Sequence, residues 1–173
     1  MFPWLVSFLT IVLIIGAVTD IRIRKIPNWL TFSTMIVAVA YHTGMEGIQG
    51  FLFCLEGIGV GIALLIIPYL MGGMGAADAK LMGAVGGLLG PRGAFFALIF
   101  TGIVGGIYAL ALLTLHGCLR ETARRYGRIL KTFALTRQYI HIPSPERDKK
   151  PRLCYGVAIA LGTLLSVFWK ITI

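Results

Sequence analysis

Six apolar runs occupy most of this chain and limit what it can fold into. They lie at Pro3–Thr19, Trp29–Tyr41, Phe51–Leu70, Ala79–Leu89, Gly93–Leu115 and Leu153–Trp169. Apolar residues make up 57% of the 173 positions and charged residues 13%, and the mean hydropathy is +0.86. A composition this apolar is outside the range of water-soluble domains, and about 20 apolar residues suffice to cross a bilayer as a helix. The sequence therefore predicts an all-α, polytopic membrane protein with about six transmembrane helices, forming one domain over residues 1–173.

Lysine and arginine are unevenly distributed along the chain. Of the 16, all except Arg92 and Lys170 follow the first run, lie at the start of the fourth run, or lie between Arg120 and Arg152. Because cytoplasmic loops retain basic residues, six alternating spans place these segments in the cytoplasm and both termini outside. The basic loop 116–152 is predicted to be an amphipathic helix on anionic membrane lipid or an extension of the fifth span. A nucleic-acid partner is not expected.

Three acidic residues lie in or next to the apolar runs: Asp20, Glu56 and Asp78. An ionisable group at membrane depth is costly, and it therefore indicates a functional site. Asp20 follows the first run and Asp78 precedes the fourth, which places both at the same membrane face. Glu56 lies in the third run near the opposite face, and we expect it to be neutral or paired with a neighbouring helix.

Two carboxyl groups brought together in a low-dielectric site do not both ionise readily, so one keeps its proton. Such a pair supplies a base to activate water and an acid to polarise a peptide carbonyl. No G-x-S-x-G or H-E-x-x-H motif occurs, and the three cysteines and three histidines are not spaced as metal ligands. No metal or cofactor is expected. The structural alternative is that Asp78 caps a helix and Asp20 pairs with Arg22, Arg24 or Lys25.

Two segments resemble the motifs of the type IV prepilin peptidases. Residues 19–28, TDIRIRKIPN, resemble that family's aspartate followed by basic residues and I-P-N. Residues 73–82, GMGAADAKLM, resemble its G-x-G-x-x-D-x-K-L motif, and residues 155–162, YGVAIALG, resemble its C-terminal segment. The resemblance implies that Asp20 and Asp78 are the catalytic pair of an aspartic endopeptidase. Its implied substrate is a prepilin-like protein, cleaved at the cytoplasmic side of the bacterial inner membrane.

Two features distinguish this chain from other members that it resembles. Ala77 precedes Asp78 where family members often have glycine, which is a change between small residues. Bifunctional members carry a cytoplasmic insertion with paired cysteines between their first two helices, and they also methylate the new N-terminus. Ile21–Pro27 leaves no room for that insertion. The chain therefore resembles the short, peptidase-only branch that serves tight-adherence (Flp-type) pili, and N-methyltransferase activity is not expected.

Four residues are assigned supporting roles around the pair. Asn28 is expected to cap the second helix. Gly73 and Gly75 are expected to let an extended substrate or a neighbouring backbone come close to the second aspartate. Lys80 is expected to bind a substrate acid, to favour the ionised form of one aspartate, or to extend towards lipid headgroups.

Two other functions are open at this point. In a small ion-coupled carrier, Asp20 and Asp78 would relay protons, which requires acids along a path across the membrane. In a non-catalytic pilus-assembly subunit, the basic loop would bind anionic lipid or a partner, and Asp20→Asn would be tolerated.

Overall fold

The computed structural model describes residues 3–70, 74–115 and 154–172. These residues form four helices, α1 Pro3–Ile23, α2 Asn28–Leu70, α3 Ala76–Leu115 and α4 Tyr155–Thr172. No strand occurs among them, so the predicted all-α fold is confirmed for the described part of the chain. Residues 1–105 and 154–173 form one compact unit, which contains the site described below. A second unit, residues 106–153, is described only for the end of α3.

Three of these helices are long and apolar enough to cross a membrane, in the segments Trp4–Ile23, Asn28–Leu70 and Ala76–Leu112. Tyr155–Trp169 is a shorter apolar helix. Many large apolar side chains are exposed, such as those of Ile36, Ile48 and Leu70. Soluble monomers rarely expose apolar surface on this scale, whereas lipid tails solvate it. Length and exposure thus support a membrane protein, and six crossings remain a prediction.

Helix α2 reverses its direction at Gly47. That residue has φ 61 and ψ −137, a left-handed backbone that favours glycine. Residues eight apart in a straight helix are about 12 Å apart, yet a Cβ at Gly50 would clash with the carbonyl of His42. The helix is therefore two packed arms, residues 28–46 and 48–70.

Helix α3 reverses in the same way at Gly90, which has φ 76 and ψ 177 and precedes Pro91. Proline has no N–H to continue the preceding helix. A Cβ at Gly86 would lie 3.2 Å from the Cβ of Ala94, although the two residues are eight apart in sequence. The two reversals divide the four helices into six helical segments, and each break falls between two of the predicted apolar runs.

The first arm of α3, residues 76–89, lies at the centre of the bundle. Residues 81–90 are all buried. Gly57 and Gly61 of α2 face the backbone carbonyls of Gly86 and Met82, and a Cβ at either α2 glycine would overlap those carbonyls. Small residues allow this close approach of helix backbones, which is how helices associate in lipid. The central arm thereby fixes where the first turn of α3 lies, and that turn carries Asp78.

Helix α4 packs mainly against α1. It also contacts α3, because Gly162 lies against the backbone of Thr101 and Trp169 lies 6.3 Å from Phe100 between ring centroids. These contacts place the first turn of α4 beside the last turn of α1, where Asp20 lies.

Candidate active site

Asp20 lies in the last turn of α1 and is only 9% exposed. Its Oδ2 accepts a 2.8 Å hydrogen bond from the backbone N–H of Gly156, in the first turn of α4. The first N–H groups of a helix have no partner within that helix. Asp20 therefore satisfies one of these donors from another helix, and the bond holds its carboxyl group in place.

A strained turn follows Asp20 and directs the chain into α2. Arg24 has φ 55, and its N–H donates to the Asp20 carbonyl oxygen at 2.9 Å. This arrangement is an αL helix cap, a position that glycine usually occupies. The next residues turn inwards, since Ile26 is buried, and α2 begins after Pro27. The chain thus passes from α1 to α2 within four residues.

Asp78 lies in the first turn of α3 and is only 8% exposed. Its Oδ2 accepts a 3.0 Å hydrogen bond from the Gly75 N–H, while its own N–H donates to the Gly75 carbonyl at 3.1 Å. A side chain that reaches back to the N-cap N–H is one half of a capping box. The capping alternative therefore describes what one oxygen of Asp78 does and leaves the other oxygen for a different role.

The two carboxyl groups lie close enough to interact electrostatically. They come from α1 and α3, and the whole of α2 separates them in sequence. Each carboxyl accepts one backbone N–H from a glycine at the start of a helix. The fold therefore brings together the two acidic residues that the sequence selected.

Among the described residues, Asp20 does not form the ion pair with a neighbouring basic residue that the structural alternative required. Arg22, Arg24 and Lys25 have exposed side chains. Within residues 3–70, 74–115 and 154–172, Asp20 pairs through its side chain with the Gly156 N–H and with none of these three cations. Their charges are accordingly solvated at the end of α1.

Lys80 and Asn28 contact each other, which the sequence did not indicate. The Lys80 Nζ donates to the Asn28 Oδ1 at 3.0 Å and lies 5.4 Å from the centroid of the Phe32 ring. The N-cap role predicted for Asn28 is wrong, because Asn28 is already helical and its side-chain oxygen accepts from Lys80. The Leu30 N–H donates instead to the Pro27 carbonyl at 3.1 Å.

The remaining residues of the sequence hypothesis have different outcomes. Gly75 supplies the donor to Asp78 described above. Gly73 and the loop 116–152 lie outside the described residues. Glu56 is exposed. Among the described residues, it does not pair with a neighbouring helix, which was one of the two expectations for it.

Cys154 lies just before α4 and within electrostatic reach of both aspartates. Burial raises the pKa of its thiol, and the nearby carboxyl groups of Asp20 and Asp78 raise it further, while the positive charge of Arg24 acts in the opposite direction. A thiol is nucleophilic only as its thiolate, so this cysteine is a poor nucleophile near neutral pH. Among the described residues, no group of three or more His, Cys, Asp or Glu side chains is arranged to hold a metal ion.

Gly156 is the site residue that sequence reasoning missed. A Cβ at this position would lie 2.9 Å from both the Cβ and the Oδ2 of Asp20. The signal in the sequence was a glycine at the start of the last apolar run, within YGVAIALG. Nothing local indicates that this glycine meets a residue 136 positions earlier.

Comparison with known proteins gives one match. A protein-family model described as the type IV leader peptidase family matches residues 7–110, which is more than half of the chain. The matched segment includes every site residue that the sequence predicts, and it ends before α4. Neither the curated proteins nor the solved structures give a significant match.

Proposed function

Because the chain belongs to the type IV leader peptidase family, we propose that it is an aspartic endopeptidase that removes the leader of Flp-like type IV prepilins. Membership of the family supports a protease that acts on a leader peptide. The observation that supports the aspartic mechanism is the pair of buried carboxyl groups, Asp20 and Asp78, which interact across two helices.

The proposed reaction needs one proton on the pair. The ionised carboxylate takes a proton from a water molecule as that water attacks the carbonyl carbon of the scissile peptide. The protonated carboxyl donates its proton to the carbonyl oxygen, which gives a tetrahedral diol. Collapse of the diol breaks the C–N bond: the pair gives its proton to the leaving amine and takes one from a diol hydroxyl, which becomes the carbonyl of the new carboxyl group. The pair ends with one proton, as it began, and no covalent enzyme intermediate forms.

The hydrogen bonds of the two carboxyl groups suit this reaction. In the described part of the chain, backbone donors occupy only the Oδ2 atom of each aspartate. Within residues 3–70, 74–115 and 154–172, these bonds leave the Oδ1 atoms for water and substrate. Fixed N–H donors also hold the carboxyl groups in position before the reaction, so the groups rearrange less during it. Such prior orientation of polar groups is a main source of electrostatic stabilisation in enzymes.

We place this site at the cytoplasmic edge of the bacterial inner membrane. Asp20 ends one helix and Asp78 begins another, so both lie at the same membrane face if the helices span it. Arg22, Arg24 and Lys25 follow the first aspartate, and such basic residues favour the cytoplasm. Only Arg24–Pro27 separates α1 from α2, which supports a peptidase without the inserted cytoplasmic segment of the methylating enzymes.

The test is cleavage of a co-expressed Flp-like prepilin by the wild type, Asp20→Asn and Asp78→Asn at matched membrane levels. Each substitution keeps the size of the side chain and removes the carboxyl group, so the prepilin band should stay at the uncleaved position on a gel. Glu56→Gln is the matched control, because it makes the same change at an exposed carboxyl group and should leave cleavage intact. Retained cleavage in either aspartate variant would contradict the two-carboxyl mechanism.

A further inference from the structure

One of the two proposed catalytic carboxyl groups is held by a residue outside the segment that matches the family. Gly156 belongs to α4, and its N–H lies 2.8 Å from the Asp20 Oδ2. The family match ends at residue 110, so it assigns no role to this helix. The contacts of α4 show what it does at the site.

The contact leaves no room for a side chain at position 156. A Cβ there would lie 2.9 Å from the Asp20 Cβ, 2.9 Å from its Oδ2 and 3.1 Å from its Cγ. All three distances are shorter than ordinary van der Waals contact. Asp20 is fixed within a helical turn, and its carbonyl already accepts from the Arg24 N–H. A larger residue would displace either the carboxyl group or the start of α4.

The donor itself is characteristic of a helix start. The Gly156 N–H is one of the first N–H groups of α4, which lack a partner within their own helix and form the positive end of its dipole. Asp20 takes the place of an N-cap side chain, but it does so from α1. The Val157 N–H, by contrast, donates locally to the Cys154 carbonyl at 3.3 Å.

We propose that Gly156 is a positioning residue of the peptidase and that α4 completes the active site through it. This inference rests on the proposed function. The Gly156 N–H then joins the start of α4 to the end of α1 and orients the Asp20 carboxyl group. The pair made by the segments that match the family is incomplete without the last helix.

The kinetic test compares Gly156→Ala with Gly162→Ala in the full-length protein. Gly162 lies on the same helix, about 9 Å further along its axis, and a Cβ there would press on the backbone of Thr101. Gly162→Ala therefore disturbs the packing of α4 without touching Asp20. Per folded enzyme, Gly156→Ala should lower kcat at least about tenfold with KM nearly unchanged, since small misplacements of reacting groups have such effects. Gly162→Ala should lower the yield of folded protein and leave kcat unchanged.

Wild-type kcat in Gly156→Ala would overturn the proposal. An equal loss of kcat per folded enzyme in Gly162→Ala would also overturn it, because general packing of α4 would then explain both results.

A second test needs no cleavage and separates this proposal from the proposed function. The unfolding temperature in detergent is measured for Gly156→Ala, Asp20→Ala and the double variant. Asp20→Ala removes the acceptor and two of the three close approaches, so Gly156→Ala should lower the unfolding temperature less in that background than in the wild type. If Gly156→Ala lowered the unfolding temperature equally in both backgrounds, the proposal that Gly156 contacts Asp20 would be overturned. If the wild type cleaves no prepilin, the proposed function fails, while this cycle still decides whether Gly156 holds Asp20.

Discussion

The Lys80 ammonium group donates a 3.0 Å hydrogen bond to the side-chain oxygen of Asn28, which joins the beginning of α3 to the first residue of α2. Lys80 is two residues beyond Asp78, and Asn28 follows the short turn after Asp20. The contact therefore connects the two segments that carry the carboxyl groups. It gives Lys80 a defined partner that is neither aspartate nor a substrate acid.

We predict that Lys80 and Asn28 act as a pair. Lys80→Met and Asn28→Ala should each lower prepilin cleavage severalfold without abolishing it, because the bond is exposed to solvent and such bonds contribute about 1 kcal/mol or less. The double variant should be no slower than the slower single variant, since both substitutions remove the same contact. Initial cleavage rates at several prepilin concentrations measure this. If the losses of the two single variants multiplied in the double variant, or if KM rose only in Lys80→Met, Lys80 would instead have a separate role in substrate binding.

The Gly75 N–H, more than the absence of a side chain, should be what Asp78 requires. A Cβ at Gly75 would lie 3.4 Å from the Asp78 Oδ2, which is ordinary contact, so Gly75→Ala should cleave within about threefold of wild type. Gly75→Pro removes the donor and should lower cleavage at least about tenfold. Ala76→Pro is the control, because proline is well tolerated at the first position of a helix. Similar losses in both proline variants would show that backbone strain, and not the lost donor, is responsible.

Cys154 should be dispensable for cleavage in spite of its place near the pair. Its raised pKa keeps the thiol protonated near neutral pH, so Cys154→Ser should retain wild-type cleavage within about twofold. In a variant that lacks Cys54 and Cys118, maleimide labelling of Cys154 should be slow at pH 7. Labelling should accelerate only as the pH rises above the range of an ordinary thiol, because a raised pKa delays thiolate formation. Fast labelling at pH 7, or loss of cleavage in Cys154→Ser, would contradict this prediction.

Arg24→Gly should stabilise the protein. Arg24 has φ 55, which costs a residue with a side chain about 1–2 kcal/mol, and glycine avoids most of that cost. After the greater chain entropy of glycine is subtracted, we expect a gain of about 0.5–1 kcal/mol, read as a higher unfolding temperature in detergent. Arg22→Gly is the control and should destabilise by about 1 kcal/mol, because residue 22 is still within α1. A lower unfolding temperature in Arg24→Gly would mean that the arginine side chain makes a stabilising contact.

Much of the fold was predictable because helix formation in a bilayer is a local requirement. Backbone N–H and C=O groups in hydrocarbon must be satisfied within their own segment, so each apolar run implies a helix. The gaps between the predicted runs also contain the breaks, since Gly47 and the pair Gly90 and Pro91 lie between runs at the points where the chain reverses. The sequence did not indicate that the two arms at each reversal would follow each other directly, without a loop between them.

The site, like the fold, was predictable where it depends on local sequence and not where it depends on contacts between helices. The positions of Asp20 and Asp78 next to apolar runs, and the motifs around them, were enough to select both residues and the family. The partner of Asn28 was misjudged, because the expectation of an N-cap considered only the residues that follow it in sequence. Its partner, Lys80, comes from another helix, 52 residues away.

The sequence by itself determined the helical segments, the two acidic positions and the membrane character, since these depend on neighbouring residues and on transfer of side chains into lipid. Only the tertiary structure decided how the carboxyl groups are held. The Gly156 N–H reaches Asp20 because α4 packs against α1, and such packing depends on the shapes of two surfaces far apart in the chain. A glycine that leaves room for a carboxyl group looks the same in sequence as one that leaves room for a helix.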